Sequence, residues 1–181
     1  AAEPSENSED ICLPCDDSAL RREAMSELHQ LTHFPKNPHC KICLQILHMG
    51  ALAYNEGAVA PSPVRSRIGA FSPAELDEEG IEKQIADHAY CATLAKQAGY
   101  DGVEIIGSAG YLLSTFLVEK TNQRTDQWGG SYENRMRFPI EVVRRIREAV
   151  GEDFIVIFRI AAMDMLEGGM SWHNLVWIPG L

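Results

Sequence analysis

Three short, almost continuously apolar runs, at about residues 44–47, 102–106 and 154–160, are separated by amphipathic stretches. A strand buried on both faces reads as a continuous apolar run, and that is the signature of a parallel sheet. Strand–helix–strand–helix–strand alternation requires parallel pairing through crossovers. The three runs start further apart than a minimal βαβ unit needs. The excess falls after each strand, in the segments that form the active-site face of a (β/α)8 barrel. A closed barrel takes about 250 residues, and only three strands are legible. The expected fold class is therefore α/β, a partial (β/α)8 TIM barrel of about three parallel strands in the order 44–47, 102–106, 154–160, preceded by a mostly disordered leader.

The helices between the runs carry their own signals. Asp77 is placed to cap a helix over about 78–98, in which Ile81, Ile85, Ala89, Ala92 and Ala95 recur at three- and four-residue steps and form one buried stripe. Gly99 stands where a left-handed C-cap is wanted. Cys91, on the apolar side, reads as core. Ser131 is placed to cap a second helix ending near Val150, with Gly151 after it; Pro139 is expected to kink or divide it. The segments 48–76 and 107–130 read as long loops.

Residues 1–43 differ in character. The first 17 residues hold Glu3, Glu6, Glu9, Asp10, Asp16 and Asp17 and no Lys or Arg, which reads as a disordered acidic leader. A short helix over 19–31, capped by Asp17 or Ser18, ends before Pro35 and Pro38. Four of the five cysteines fall here, as Cys12-x-x-Cys15 and Cys40-x-x-Cys43. Two such pairs match the ligand types of a tetrahedral zinc site. A second set is His29, His33, Cys40 and Cys43, since His29 and His33 share one helix face; the stretch 29–43 weakly resembles the His/Cys segment that precedes integrase domains in retroelement polyproteins. Reduced, unliganded thiols are the plain alternative. The domains expected are thus 1–43, leader with a possible zinc knuckle; 44–170, barrel segment; and 171–181, irregular tail.

The net charge of −10 argues against a general nucleic-acid surface. With no long apolar run and no basic-then-apolar start or Arg-rich leader, the expected location is intracellular and cytoplasmic, with no membrane partner.

The stretch Gly107-Ser108-Ala109-Gly110-Tyr111-Leu112-Leu113, followed by Thr121-Asn122-Gln123-Arg124-Thr125-Asp126-Gln127-Trp128-Gly129-Gly130-Ser131-Tyr132-Glu133-Asn134-Arg135, resembles the Old Yellow Enzyme family of FMN-dependent reductases. Leu44-Gln45-Ile46-Leu47-His48-Met49-Gly50, Ala98-Gly99-Tyr100-Asp101-Gly102-Val103-Glu104 and Phe158-Arg159-Ile160 match the same family in the same order. Many members carry two histidines where Ile106 and Ala109 stand here. The Gly-Ser-x-Gly-Tyr loop is instead similar to the bacterial 2,4-dienoyl-CoA reductase branch.

That resemblance implies FMN as cofactor, NAD(P)H as reductant, and an unsaturated acyl-CoA or other activated alkene as substrate. Hydride reaches one end of the conjugated system and an acid must protonate the other; the resemblance gives that role to Tyr111. It sets Gln45 against the flavin pyrimidine edge and Arg159 near flavin N1 and O2. Taken without it, Tyr111 is a half-buried aromatic closing a loop, Gln45 a rim amide bonded to backbone, and Arg159 a partner of Glu104 or Asp164. Arg124, Asp126, Glu133 and Arg135 read as cross-links of the long loop, and His48 as part of the wall of the barrel mouth. Two departures stand out: Ala51 occupies a position where the family usually has Arg, and His173 lies too early to be the branch's second proton-handling residue. The reading is a 2,4-dienoyl-CoA reductase-like oxidoreductase fragment, inactive alone. The alternatives are a zinc-binding interaction module fused to a barrel remnant, and a non-functional chimeric product.

Overall fold

The computed structural model describes residue 23 and residues 25–28, 40–165 and 167–170. Residues 23 and 25–28 are helical, within the helix expected over 19–31; the rest of that helix, Cys12, Cys15, His29, His33 and the tail 171–181 lie outside the described residues. In chain order the elements are β1 (Cys43–Ile46), a 3-10 turn (Gly50–Leu52), β2 (Val59–Ala60), β3 (Ala74–Glu75), α1 (Glu78–Gln97), β4 (Gly102–Gly107), α2 (Leu112–Leu117), α3 (Tyr132–Val150) and β5 (Ile155–Ile160).

β1, β4 and β5 form one parallel sheet in the order β1-β4-β5, as the apolar runs require. Cys43 pairs with Gly102, and Gly102 with Ile155, so the three strands start level. Asp101 locks that start: its carboxylate accepts from Ile42 N–H at 2.9 Å and from Lys41 Nζ at 2.8 Å. The strand therefore begins at Cys43, inside the segment assigned to the leader. β2 and β3 make a small separate parallel pair within the first long loop.

Both caps form as expected. Asp77 accepts from Gly80 N–H at 2.7 Å and Ser131 from Asn134 N–H at 3.3 Å. Gly99 takes a positive φ of 98°. α1 buries Ile81, Ile85, Cys91, Ala92 and Ala95; α3 buries Phe138, Val142 and Ile146. These meet Ile46, Val103 and Ile105 in one core, with Phe116 stacked on Phe138 at 4.1 Å between ring centroids. α3 runs undivided through Pro139. The proline removes one backbone donor, but Phe138, Pro139 and Val142 are all buried there, and that packing holds the helix together.

Among the described residues the helices cover one face of the sheet. On the other, β5 exposes Ile155 at 36% and Ile157 at 43%, although its sequence reads as buried on both sides. An inner barrel face is filled by side chains from strands around the whole circle; here three strands supply it. No helix among the described residues is long and apolar enough to cross a membrane.

Candidate functional site at the carboxyl end of the sheet

The three strands present their carboxyl ends side by side, and each is followed by a loop. Gln45 lies one residue before the end of β1 and is exposed. Its register partner on β4 is Glu104, and Glu104 pairs in turn with Ile157 of β5. Arg159 follows Ile157 by two residues and so shares its face. Gln45, Glu104 and Arg159 therefore stand together on the uncovered inner face. Arg159 Nη1 lies 3.8 Å from Glu104 Oε1, with the Arg159 side chain 61% exposed. Both the Gln45 amide and the Arg159 guanidinium are exposed among the described residues. Asp164, the other partner considered for Arg159, instead accepts from Met170 N–H at 3.0 Å.

Tyr111 stands on the loop after β4, half-buried. The backbone presents it through two successive left-handed residues, Ala109 at φ 60° and Gly110 at φ 82°. Tyr111 then extends at the N-cap of α2, its carbonyl accepting from Thr115 N–H at 3.0 Å and from Ser114 Oγ at 3.0 Å. The sequence left α2 inside a loop; its six residues are too few to show a helical period. A cavity of about 190 Å³ lies beside this loop, lined in part by Ala51, Leu52, Arg65, Ala109, Gly110 and Thr115.

The following loop is cross-linked much as its charges suggested. Arg124, 7% exposed, binds Asp126, Glu75 and the Pro61 and Leu76 carbonyls. Its hydrogen bonds hold the Asp126 carboxyl below the usual range. Arg135 donates to the Leu117 carbonyl at 2.9 Å and to that of Gly130. Asn122, 2% exposed and not singled out in the sequence, donates to the Phe116 and Trp128 carbonyls at 2.8 Å each. This is scaffolding that holds the floor of the loop.

The sequence also missed His88, which lies on the buried side of α1 between Ile85 and Ala92 and is 3% exposed. His48 follows β1, with its ring centroid 6.3 Å from that of His88. Burial, followed by the charges of His88 and Lys83, lowers His48 from 6.5 to about 4. Burial also lowers His88, against the opposing effects of the Gln84 backbone and Asp87. Both rings fold neutral and take up protons more readily when unfolded. Stability should therefore fall as pH drops from about 6.5 toward about 4, by up to about 1.4 kcal/mol per unit for His48. Chemical denaturation at about pH 7 and about pH 5 measures this, and equal midpoints would contradict it.

The zinc set receives no support. Among the described residues no cluster of three or more His, Cys, Asp or Glu is arranged to hold a metal. Cys40 and Cys43 are free thiols. Cys43 belongs to the sheet, and burial with nearby Asp101 and Glu104 pushes its thiol up.

Residues 13–176 match the NADH:flavin oxidoreductase / NADH oxidase family. The match begins inside the segment expected to be leader. A metal reductase of Desulforamulus reducens is 48% identical over 132 residues, 71% of this chain and 20% of that protein. Among solved structures, a 2-naphthoyl-CoA reductase in complex with 2-naphthoyl-CoA superposes with a TM-score of 0.67 at 36% identity, over 72% of this chain and 22% of that one. The Old Yellow Enzyme homologue of Zymomonas mobilis gives 0.75 at 27% identity, over 89% and 48%. The chain thus spans about a fifth to a half of the length of these proteins.

Proposed function

This chain belongs to the NADH:flavin oxidoreductase / NADH oxidase family as part of an Old Yellow Enzyme-type barrel, and from that premise we propose that it carries one sector of an FMN site that reduces activated alkenes with NAD(P)H. The observation that carries this reading is the shared inner face. Gln45 and Arg159 flank Glu104 at the carboxyl ends of adjacent strands, and Tyr111 stands on the next loop.

These residues fit part of a flavin. The Gln45 amide offers one donor edge and one acceptor, which suits a pyrimidine edge presenting both. The Arg159 guanidinium is anchored only loosely at 3.8 Å, so its donors remain free to turn toward an electron-rich ring edge. FMN, when bound, supplies the hydride. Tyr111 supplies the proton: its phenolic O–H is the acid for the substrate carbon that hydride does not reach. The substrate class favoured is the unsaturated acyl thioester, supported by the Gly107–Tyr111 loop and by likeness to a reductase that binds an aryl-CoA thioester.

The test uses a complete barrel that contains these residues, with FMN affinity read by quenching of flavin fluorescence. Gln45→Leu should weaken binding about tenfold, and Arg159→Leu about tenfold to hundredfold, as expected when a neutral or a charged hydrogen bond is lost. Affinity unchanged in both variants removes the flavin-edge assignment.

A further inference from the structure

His48 makes a contact that the proposed chemistry does not use. Its Nδ1 accepts from Gly50 N–H at 3.0 Å, and its carbonyl accepts from Leu112 N–H at 3.1 Å. The first bond joins a side chain to the amide two residues on, the pattern by which an Asx side chain closes a turn. Gly50 takes φ 58°, and a Cβ there would lie 2.9 Å from the Leu112 backbone. The turn after β1 is thus pressed directly against the first residue of α2, next to Tyr111.

The ring state follows from the partners. Nδ1 receives a backbone N–H, so it carries no proton, and the neutral ring is protonated at Nε2. His88 is the opposite: its Nδ1 lies 2.7 Å from the Gln84 carbonyl and must carry the proton. Facing His48 from α1 are His88, Asp87 and Lys83; the last two are paired with each other at 2.7 Å. Ile46, Leu47 and Gln84 complete the small cavity that His48, Asp87 and His88 share.

We propose that His48 is a positioning residue, whose unprotonated Nδ1 fixes the turn after β1 against the start of α2 and so aims the loop that carries Tyr111. The importance of that aim for catalysis rests on the proton-donor reading of Tyr111; the clamp itself does not.

The experiment is amide exchange and imidazole nitrogen NMR on the full 181-residue chain without flavin. His48 should show the Nε2–H tautomer and His88 the Nδ1–H tautomer. In His48→Leu, exchange at Gly50 and Leu112 should rise about fivefold to tenfold, as for one lost hydrogen bond. His48→Asn, whose Oδ1 can accept from the same amide, should restore protection to within about twofold. Amides of α3 serve as the control for global unfolding. A Nδ1–H tautomer at His48 in the parent chain, absence of protection at Gly50 there, or unchanged exchange in His48→Leu each overturns the proposal. So does a loss in His48→Asn equal to that in His48→Leu. Because no flavin is present, these outcomes are independent of whether Tyr111 proves to be the acid.

Discussion

Prepared as residues 1–181 alone, the protein should be colourless and should reduce no enone or enoyl thioester with NAD(P)H. The sheet has three strands, and β1 and β5 are both edges. Its inner face leaves Ile155 and Ile157 substantially exposed, and Gln45 and Arg159 face solvent rather than an enclosed ring. Hydrogen bonds made in open water contribute little net affinity, because water competes for the same groups. In barrels the phosphate is commonly held after strands seven and eight, and the described residues contain no counterpart of those strands. Contacting one edge of a flavin without burying the ring or neutralising the phosphate forfeits most of the affinity. Joined to the remaining strands of a barrel, the same residues should yield protein with the flavin absorbance of a one-to-one complex. Size-exclusion chromatography with absorbance at the flavin and protein bands decides the matter. A yellow, one-to-one, catalytically competent 181-residue chain would show that three strands suffice. Unpaired edges also invite self-association, so the colourless sample is expected to elute partly as oligomer.

Much of the architecture was legible because it rests on local periodicity. The stripe on α1, the caps at Asp77 and Ser131, and the strand order all follow from residues close in sequence. What sequence reading missed depended on tertiary surroundings. The run Leu112–Leu117 is a helix because Phe116 packs on Phe138 and Asn122 holds its end, and neither fact has a local signature. Pro139 failed to divide α3 because the core grips the residues on both sides of it. The apolar strands were read as buried on both faces, whereas among the described residues Gln45, Ile155, Ile157 and Arg159 stand exposed on one of them. His88 could have been found, since it falls in step with Ile81, Ile85, Ala92 and Ala95; a polar residue in that stripe was the available signal.

In a complete barrel, Tyr111→Phe should slow oxidation of the reduced enzyme by the alkene about 10²- to 10⁴-fold, the usual contribution of a positioned acid, and leave reduction by NAD(P)H nearly unchanged. The two half-reactions differ in what they ask of the phenol. Reduction by nicotinamide delivers a hydride and requires no proton from the loop after β4. The alkene step requires a proton at the second carbon, and that is the role proposed for Tyr111. The substitution removes one oxygen and little else: Tyr111 is half-buried, and the loop's hydrogen bonds run through its backbone carbonyl, Ser114 and Thr115. The loop geometry should therefore survive, and a folding defect should not imitate the kinetic one. Stopped-flow measurement of both half-reactions separates the cases. Equal losses in the two would mean that the ring supports the flavin pocket as a whole. An unchanged alkene step would mean that the proton comes from water or another side chain, and Tyr111 would revert to a residue that closes its loop.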